Sequence, residues 1–433
     1  MNTSTVPSLI PRAGNDAPKD SRKSMAIVSS WNESCGNASY TEALRREFAK
    51  IYNVQVIPLN LSLLQNPSPS VVKAGRRHID EIASSLGGFD YVNIQFEGGL
   101  YGSSFREVYR NVAALMRASR NLVVTMHRVD VMPGSLLPKV AMTPLRSMRG
   151  LFVDYVLKRR QALLTEKVIV LARKLAQSKN VKIKVHTPRD AEYVKRVFGF
   201  EGVFHFPLTF LDPDVRRQVQ QDVRPSLIRE RYKLPEGSRV VGVFGFISAY
   251  KGYETVVKAM SLLPQDWYLF VVGGQHPQSI RPQVEVDPYL NKLINQVVAL
   301  ERERGALADH ERVRFIGEVS DPDFLFFLRN MDAVVLPYIE VGQGMSGVFA
   351  LAMEAGARLL CANNLAVLQA RRYYGVTFSQ FDIGNYIELA QKIKSGVSDF
   401  DRERETVYNK YNVKEDVENH IKLFQANAHA NLV

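Results

Sequence analysis

The feature that most constrains the fold is a regular alternation between short apolar runs of strand length and longer segments with helical periodicity. In the N-terminal half, apolar runs lie near 25–30, 53–58, 90–96, 121–126 and 181–186. Helical patterns separate them, near 39–50, 69–86, 103–119 and 150–178. Because parallel strands need helical crossovers between them, this alternation predicts a doubly wound α/β sheet.

The same alternation begins again after a polar stretch at 211–238, which we interpret as a linker with a short helix. Strands are predicted near 239–246, 267–273, 312–317, 333–338 and 358–362, and helices near 252–263, 287–304, 321–331, 346–355 and 385–396. The 433 residues therefore divide into a disordered tail at 1–23, an N-terminal Rossmann-like domain at 24–210, a C-terminal one at 211–400 and closing helices at 401–433. Two such domains that face each other enclose a cleft at the carboxyl ends of their strands.

Composition narrows the class of protein. The apolar fraction of 46% and the charged fraction of 23% are those of an ordinary globular protein. Cys35 and Cys361 are too far apart in sequence to indicate a disulfide framework or a metal site, which favours a reducing, cytoplasmic location. No apolar run is long enough to span a membrane, and the tail lacks the apolar stretch of a signal peptide.

The net charge of +12 is concentrated in one region. Residues 144–184 contain eleven Lys or Arg against only Asp154 and Glu166, with apolar residues between them. This pattern is typical of a basic amphipathic helix that lies on a membrane surface, which for a cytoplasmic protein is the inner face. A solvated helix over a buried stripe is the simpler alternative. Nucleic-acid binding is not supported, because no recognition motif accompanies the charge.

Lys251 is the first candidate for chemistry. In GVFGFISAYKGYETVVKAM, residues 242–260, a buried strand ends at Phe246 and Lys251 opens the following helix. This position places an ammonium at the edge of the sheet where anions bind in such folds, and a compact ammonium suits phosphate. A solvated lysine at a helix start is the alternative when the segment is taken alone.

A glycine-rich turn follows a later strand of the same domain. Gly342, Gly344 and Gly347 surround Ser346, and a helix then runs to about Gly356. Small residues allow close approach of a ligand to the backbone, and the free amides of a first helical turn attract anions. Together with Lys251, this turn predicts a diphosphate site.

Three loops of the N-terminal half project to the corresponding edge of the other sheet. They carry Gly36 and Asn37 after the first strand, Glu97 after the third and His127 after the fourth. A carboxylate and an imidazole on adjacent strand ends could orient a substrate. The alternatives, when each segment is taken alone, are a structural histidine and an ordinary Asn-rich turn. No GxGxxG, P-loop, HExxH, CxxC or GxSxG pattern is present, so dinucleotide binding, metal-dependent hydrolysis and a serine nucleophile are not indicated.

These segments resemble, in order, those of the retaining glycosyltransferases of family 4, which have the GT-B fold. The matching segments include SSWNESCGNASYT, IQFEGGLYG, VVTMHRVD, VFGFISAYKGYETVVKAM and MDAVVLPYIEVGQGMSGVFALAMEAGA. The resemblance implies metal-independent transfer of a sugar from a UDP- or GDP-sugar to a glycan, lipid-linked or other acceptor, with retention, in polysaccharide or glycoconjugate synthesis. It implies no cofactor besides the sugar-nucleotide substrate.

The resemblance also implies roles for individual residues. Lys251 would neutralise the leaving diphosphate, and His127 would lie near the transferred sugar, with the acceptor entering near Glu97 and His127. Donor contacts would come from residues on both domains: Gly36, Asn37, Phe246, Gly317, Gly344, Met345, Ser346 and Gly347, with Phe315–Gly317 lying at the strand end that reads the base.

Two departures from the family pattern stand out. An arginine often precedes the lysine by five residues, where this chain has Phe246. Two glutamates often frame the last motif, where this chain has Gly344 and Ala352, as in an SG-type variant; Glu354 is two residues away. A non-catalytic GT-B partner protein, and a GT-B epimerase or phosphorylase, therefore remain alternatives.

Overall fold

The computed structural model describes residues 21–31, 36–134, 148–275, 287–303, 311–339, 344–376, 378–397 and 401–425, without the side chains of 401–404. Most of the predicted tail, Cys35, Gly342 and residues 144–147 lie outside these ranges.

The N-terminal domain is built on one parallel sheet of six strands in the order β2-β1-β3-β4-β5-β6. The strands are β1 (Ser24–Ser29), β2 (Asn53–Pro58), β3 (Tyr91–Phe96), β4 (Leu122–Met126), β5 (Val181–Val185) and β6 (Val203–His205). The helices are α1 (Gly36–Phe48), α2 (Leu61–Leu64), α3 (Pro69–Leu86), α4 (Phe105–Ala118), α5 (Met148–Leu175) and α6 (Pro188–Phe198).

The C-terminal domain repeats this plan with a second parallel sheet in the order β12-β11-β10-β7-β8-β9. Its strands are β7 (Arg239–Phe244), β8 (Trp267–Val272), β9 (Val313–Gly317), β10 (Ala333–Leu336), β11 (Leu359–Ala362) and β12 (Ser379–Phe381). Its helices are α7 (Pro213–Gln221), α8 (Pro225–Arg231), α9 (Tyr253–Met260), α10 (Pro288–Glu303), α11 (Asp321–Asn330), α12 (Gly347–Glu354), α13 (Leu365–Tyr374), α14 (Tyr386–Lys394), α15 (Asp401–Lys410) and α16 (Val413–Gln425).

The predicted fold class is confirmed, and the differences lie in the short elements. The sequence did not indicate β6 or β12, each of three residues, or the helices α6 and α13. The polar stretch 211–238 contains two helices, α7 and α8, rather than one. Ser320 caps α11, since its hydroxyl accepts from the amide of Asp323 at 3.3 Å.

The last helix, α16, leaves the C-terminal domain and packs against α1 and β4 of the N-terminal one. Asp416 of α16 is fully buried there and forms an ion pair with Lys184 of β5, while the hydroxyl of Tyr40 donates to Asp416 Oδ2 at 2.7 Å. One apolar cluster accordingly contains residues from both halves, including Tyr40, Leu208, Met345 and Ala350. The chain thus crosses between the domains twice, once before α7 and once before α16.

Among the helices that the structure describes, none combines the length and the apolar character that crossing a bilayer requires.

Candidate functional site

The loop that carries Lys251 is held against the neighbouring strand. After β7, a turn of 3-10 helix at Ala249–Lys251 precedes Gly252, which has φ +65°. A Cβ on Gly252 would lie 2.3 Å from the carbonyl oxygen of Pro337, so only glycine fits there. The amide of Ile339 donates to the carbonyl of Tyr250 at 2.9 Å, which fixes the loop to the end of β10.

Lys251 is buried in the cleft, with only 5% of its surface exposed. Its ammonium donates to the carbonyl of Phe244 at 3.3 Å and lies 5.3 Å from the centre of the Tyr338 ring. Burial lowers the pKa of Lys251 to about 8. No carboxylate within the described ranges forms an ion pair with it, so its charge is available to an anion from outside the protein.

The glycine-rich turn begins α12 beside this lysine. The hydroxyl of Ser346 caps α12 by accepting from the amide of Phe349 at 3.4 Å and lies 3.4 Å from the hydroxyl of Tyr338. A Cβ on Gly245 would lie 2.2 Å from Lys251 Nζ and 3.2 Å from Val348 of the first turn of α12. The structure therefore brings the ammonium and the positive end of a helix dipole together, an arrangement that binds anions.

Residues of the N-terminal domain face this site from the other side. The side-chain amide of Asn37, in the first turn of α1, donates to Glu97 Oε2 at 2.5 Å. Burial raises the pKa of Tyr250, and the charge of Glu97 adds to that rise, which links the two domains electrostatically. Gly36 is exposed at the start of α1, and a Cβ there would meet nothing within 4 Å.

The ring of His127 has protein partners at both nitrogens. Nε2 lies 2.7 Å from Gln95 Oε1, and Nδ1 lies 3.2 Å from Nε2 of His186. Burial, together with the charge of Lys184, lowers the pKa of His127 to about 3, so its imidazole is neutral near pH 7. Both ring nitrogens of His127 are thus engaged within the N-terminal domain. The sequence analysis placed His127 near the sugar but did not indicate its partner His186.

Of the remaining residues predicted to contact the donor, some offer only backbone groups and others have side chains that pack within the protein. Gly317 ends β9 with φ +78°, and its carbonyl accepts from the amide of Gly273 at 2.8 Å. Phe315 has an exposed fraction of 40%, and Phe246 is half-buried. The side chain of Met345 is buried in the cluster shared by both domains, so only its backbone is placed to meet a ligand.

Glu354, the acidic residue nearest the missing glutamates, holds the domain crossing. Its carboxylate accepts from the amide of Phe210 at 3.0 Å and from that of Leu211 at 3.3 Å. Burial raises its pKa to about 8. Glu354 therefore ties the end of α12 to the segment that joins the two domains.

Asp190 is a cleft residue that the sequence analysis did not indicate. It lies in the first turn of α6, and its Oδ2 is 3.0 Å from where a Cβ of Gly344 would stand. Thr187 begins α6 by accepting from the amide of Asp190 at 3.1 Å. The sequence Thr187-Pro-Arg-Asp190 is a helix-start pattern, which would have located α6 but not the contact across the cleft.

Comparison with known proteins agrees with this architecture. Residues 226–413 match the family model described as glycosyl transferases group 1. No curated protein sequence matches the chain.

Solved structures resemble the chain over nearly its whole length. Sucrose-phosphate synthase from Thermosynechococcus elongatus has a TM-score of 0.62 at 15% identity, covering 93% of this chain and 98% of its own. HepE from Anabaena, solved with UDP and glucose, has a TM-score of 0.59 at 14% identity, covering 93% and 100%. A glycosyltransferase from Rickettsia africae has a TM-score of 0.60 at 13% identity, covering 93% and 98%. The two facing Rossmann-like domains predicted from the sequence are therefore confirmed as a GT-B fold.

Proposed function

We propose that the protein is a glycosyltransferase that moves a sugar from a nucleoside-diphosphate sugar to a hydroxyl acceptor. The observation that carries this proposal is the buried Lys251 ammonium, which has no carboxylate partner among the described residues and lies beside the start of α12. The match of residues 226–413 to glycosyl transferases group 1 supports the same reaction. HepE, a structural neighbour, is solved with UDP-glucose, which makes a UDP-sugar the first donor to test.

In this proposal the bond between the anomeric carbon and the phosphate oxygen breaks, and negative charge grows on the leaving diphosphate. Lys251 and the first-turn amides of α12 stabilise that charge where it develops. The acceptor hydroxyl enters from the side of Glu97, bonds to the anomeric carbon and gives its proton to the leaving diphosphate. His127 supports that wall of the cleft through Gln95 and His186. These fixed positive groups supply the role that a metal ion has in other transferases, and we propose that the anomeric configuration is retained.

The decisive experiment measures donor binding and turnover separately. A thermal-shift series with UDP, GDP, UDP-glucose and GDP-mannose identifies the nucleotide, because a ligand that binds only the folded state raises Tm. Incubation with the identified donor and a panel of glycan and lipid-linked acceptors is then followed by release of nucleoside diphosphate. Absence of a shift with every nucleotide would contradict the proposal and favour the non-catalytic alternative.

At Phe246, Gly344 and Ala352 the chain departs from the family pattern, so two other reactions must also be tested. An epimerase would convert the donor sugar without net release of nucleoside diphosphate. A phosphorylase would require inorganic phosphate or a sugar phosphate. Product analysis with and without acceptor and phosphate separates these reactions from transfer.

For the acceptor side we propose contact with an anionic membrane through the first half of α5. No residue of Met148–Gln161 is buried, and Phe152, Val153 and Leu157 have exposed fractions of 59%, 49% and 53%. Arg149, Lys158, Arg159 and Arg160 are exposed on the same segment against one acidic residue, Asp154. Exposed apolar side chains among basic ones match the two components of a membrane surface charged by anionic lipid.

Vesicle cosedimentation tests this contact. The protein should bind vesicles of phosphatidylcholine with phosphatidylglycerol, and not vesicles of phosphatidylcholine alone. Replacing Lys158, Arg159 and Arg160 by Gln should weaken binding roughly a hundred-fold, at about 1 kcal/mol per charge. Neutralising the exposed Lys73 and Arg77 of α3 and Lys394 of α14 is the control, with the same change in charge; equal binding by all variants would exclude this surface.

A further inference from the structure

Asp190 is a buried carboxylate that faces the glycine-rich turn from the opposite domain. Only 8% of Asp190 is exposed, although it lies in the first turn of a surface helix. Its Oδ2 is 3.0 Å from the position that a Cβ of Gly344 would occupy, and the methyl group of Thr187 is 3.6 Å from the same point. The carboxylate is therefore directed across the cleft at Gly344.

The surroundings of Asp190 leave its acceptor capacity incompletely used. No Lys or Arg of the described ranges lies within ion-pair distance of it, and its neighbour among protein groups is the hydroxyl of Thr187. An ionised carboxylate accepts about four hydrogen bonds. Burial raises the pKa of Asp190 to about 6; the hydroxyl of Thr187 and the charge of Arg189 oppose this rise, and the charge of Asp130 adds to it.

The position of the Asp190 carboxylate matters because the chain lacks a glutamate that the resembling family often has at this point of the cleft. Gly344 stands where the resembling family often has the first of two glutamates, and residues 342–347 contain no acidic residue; Glu340, earlier in the same loop, lies outside the described residues. Asp190 brings a carboxylate oxygen to 3.0 Å from the position that the Cβ of residue 344 would occupy. An acidic group is thus present at this point of the cleft, but it comes from α6 of the N-terminal domain.

We propose that Asp190 binds hydroxyl groups of the donor's sugar and supplies, from the facing domain, the carboxylate that the turn at Gly344 lacks. Carboxylates are strong acceptors for hydroxyl donors, and a site in a partly dehydrated cleft strengthens such bonds. The proposal rests on the proposed function, because it assigns a residue to the sugar of the same donor. Gly344 leaves room for this carboxylate, since a Cβ there would make a tight contact of 3.0 Å with Asp190 Oδ2.

The competing explanation is that Asp190 only stabilises the start of α6. An acidic residue in a first turn interacts favourably with the helix dipole, and Thr187 already caps this helix. That role predicts loss of stability on substitution and no change in the choice between ligands. The two explanations therefore differ in whether binding of the sugar portion changes relative to binding of the nucleotide.

The experiment compares the affinities of wild type and Asp190→Asn for UDP and UDP-glucose, or for GDP and GDP-mannose if the wild type binds that pair. Loss of a charge-assisted hydrogen bond should reduce the preference for the sugar nucleotide over the free diphosphate roughly tenfold or more. Affinity for the free diphosphate should change little. Asp323→Asn is the matched control, because Asp323 has the same place in α11 and its amide donates to Ser320 in the same way.

A carboxylate exchange across the cleft tests the geometry. Gly344→Glu alone should weaken sugar-nucleotide binding, because its Cβ would press on Asp190 Oδ2 at 3.0 Å and its carboxylate would repel that of Asp190. The double variant Asp190→Ala/Gly344→Glu removes this repulsion and returns a carboxylate to the same region, so it should recover sugar preference relative to Asp190→Ala.

The outcomes separate the two proposals. A wild type that binds no nucleotide overturns the proposed function. A wild type that prefers the sugar nucleotide, with a preference unchanged in Asp190→Asn, overturns the assignment of Asp190 and leaves the proposed function standing.

Discussion

Lys251 Nζ lies 5.3 Å from the centre of the Tyr338 ring, and the hydroxyl of the same tyrosine lies 3.4 Å from Ser346 Oγ, the cap of α12. One aromatic side chain therefore touches both groups that we propose to bind the diphosphate. Because Tyr338 is buried, it holds the ammonium and the helix start at a fixed separation before a ligand arrives.

Replacing Lys251 by Ala should reduce turnover by roughly 10²–10³-fold, the usual effect of removing one group that stabilises transition-state charge. The measurement is kcat/KM for sugar transfer by purified, folded protein. Lys258→Ala is the control, since Lys258 lies on the same loop-helix unit but is exposed on α9. Wild-type turnover in the Lys251 variant would refute the assignment.

The pH dependence of kcat/KM should report the same lysine. Burial lowers the pKa of Lys251 to about 8, so the free protein loses this positive charge as pH rises through that value. We expect kcat/KM to be level below pH 8 and to decline above it. The decline in kcat should lie at higher pH, because a bound diphosphate favours the charged ammonium. A kcat/KM profile that remains level as the pH rises through 8 would contradict this expectation.

Gly245→Ala should displace Lys251 while costing little more stability than backbone strain. Gly245 has φ +94°, and the added methyl group would lie 2.2 Å from Lys251 Nζ, the mobile end of that side chain. Gly237→Ala is a matched control with φ +80° and no atom within 4 Å of the new Cβ. Both variants should lose about 1–2 kcal/mol of unfolding free energy, and only Gly245→Ala should lose transfer activity. Equal activities would show that the ammonium position is unimportant.

Glu354→Gln should change how stability depends on pH. Burial raises the pKa of Glu354 from 4.5 to about 8, so the folded state holds a proton that the unfolded chain releases. Its contribution to stability is complete below pH 4.5 and declines as pH rises towards 8. The Gln variant keeps an acceptor oxygen for Phe210 and Leu211 and should lack this decline. Denaturant unfolding at pH 4.5 and at pH 8 measures this change in the free energy of unfolding. Glu236→Gln is the control, because Glu236 is exposed.

The sequence predicted the fold well because buried parallel strands such as YVNIQF at 91–96 have an apolar character that their neighbours lack. The edge strands β6 and β12 were not predicted, since three residues give too short a run to recognise. Helix α6 could have been found from its Thr187-Asp190 start, but its apolar positions alone were not sufficient.

The site was predictable only as far as it depends on local segments. Lys251, Ser346 and Gly347 follow strands of one sheet, so a strand-end argument was enough to associate them. The Asp190–Gly344 approach depends on how the two domains meet, and no local pattern contains that information. The same applies to Glu354, whose partners are backbone amides of the domain crossing.

The return of α16 to the first domain has a consequence for synthesis on the ribosome. Lys184 and Tyr40 are made well before their partner Asp416, which lies 232 residues after Lys184 in the chain. Until then the first domain holds a buried ammonium without its counter-ion, a state that is costly for a folded core. The nascent N-terminal domain should therefore remain an unfinished, protease-sensitive intermediate while the second domain is translated, and it should reach its final stability only after α16 has emerged and packed against it.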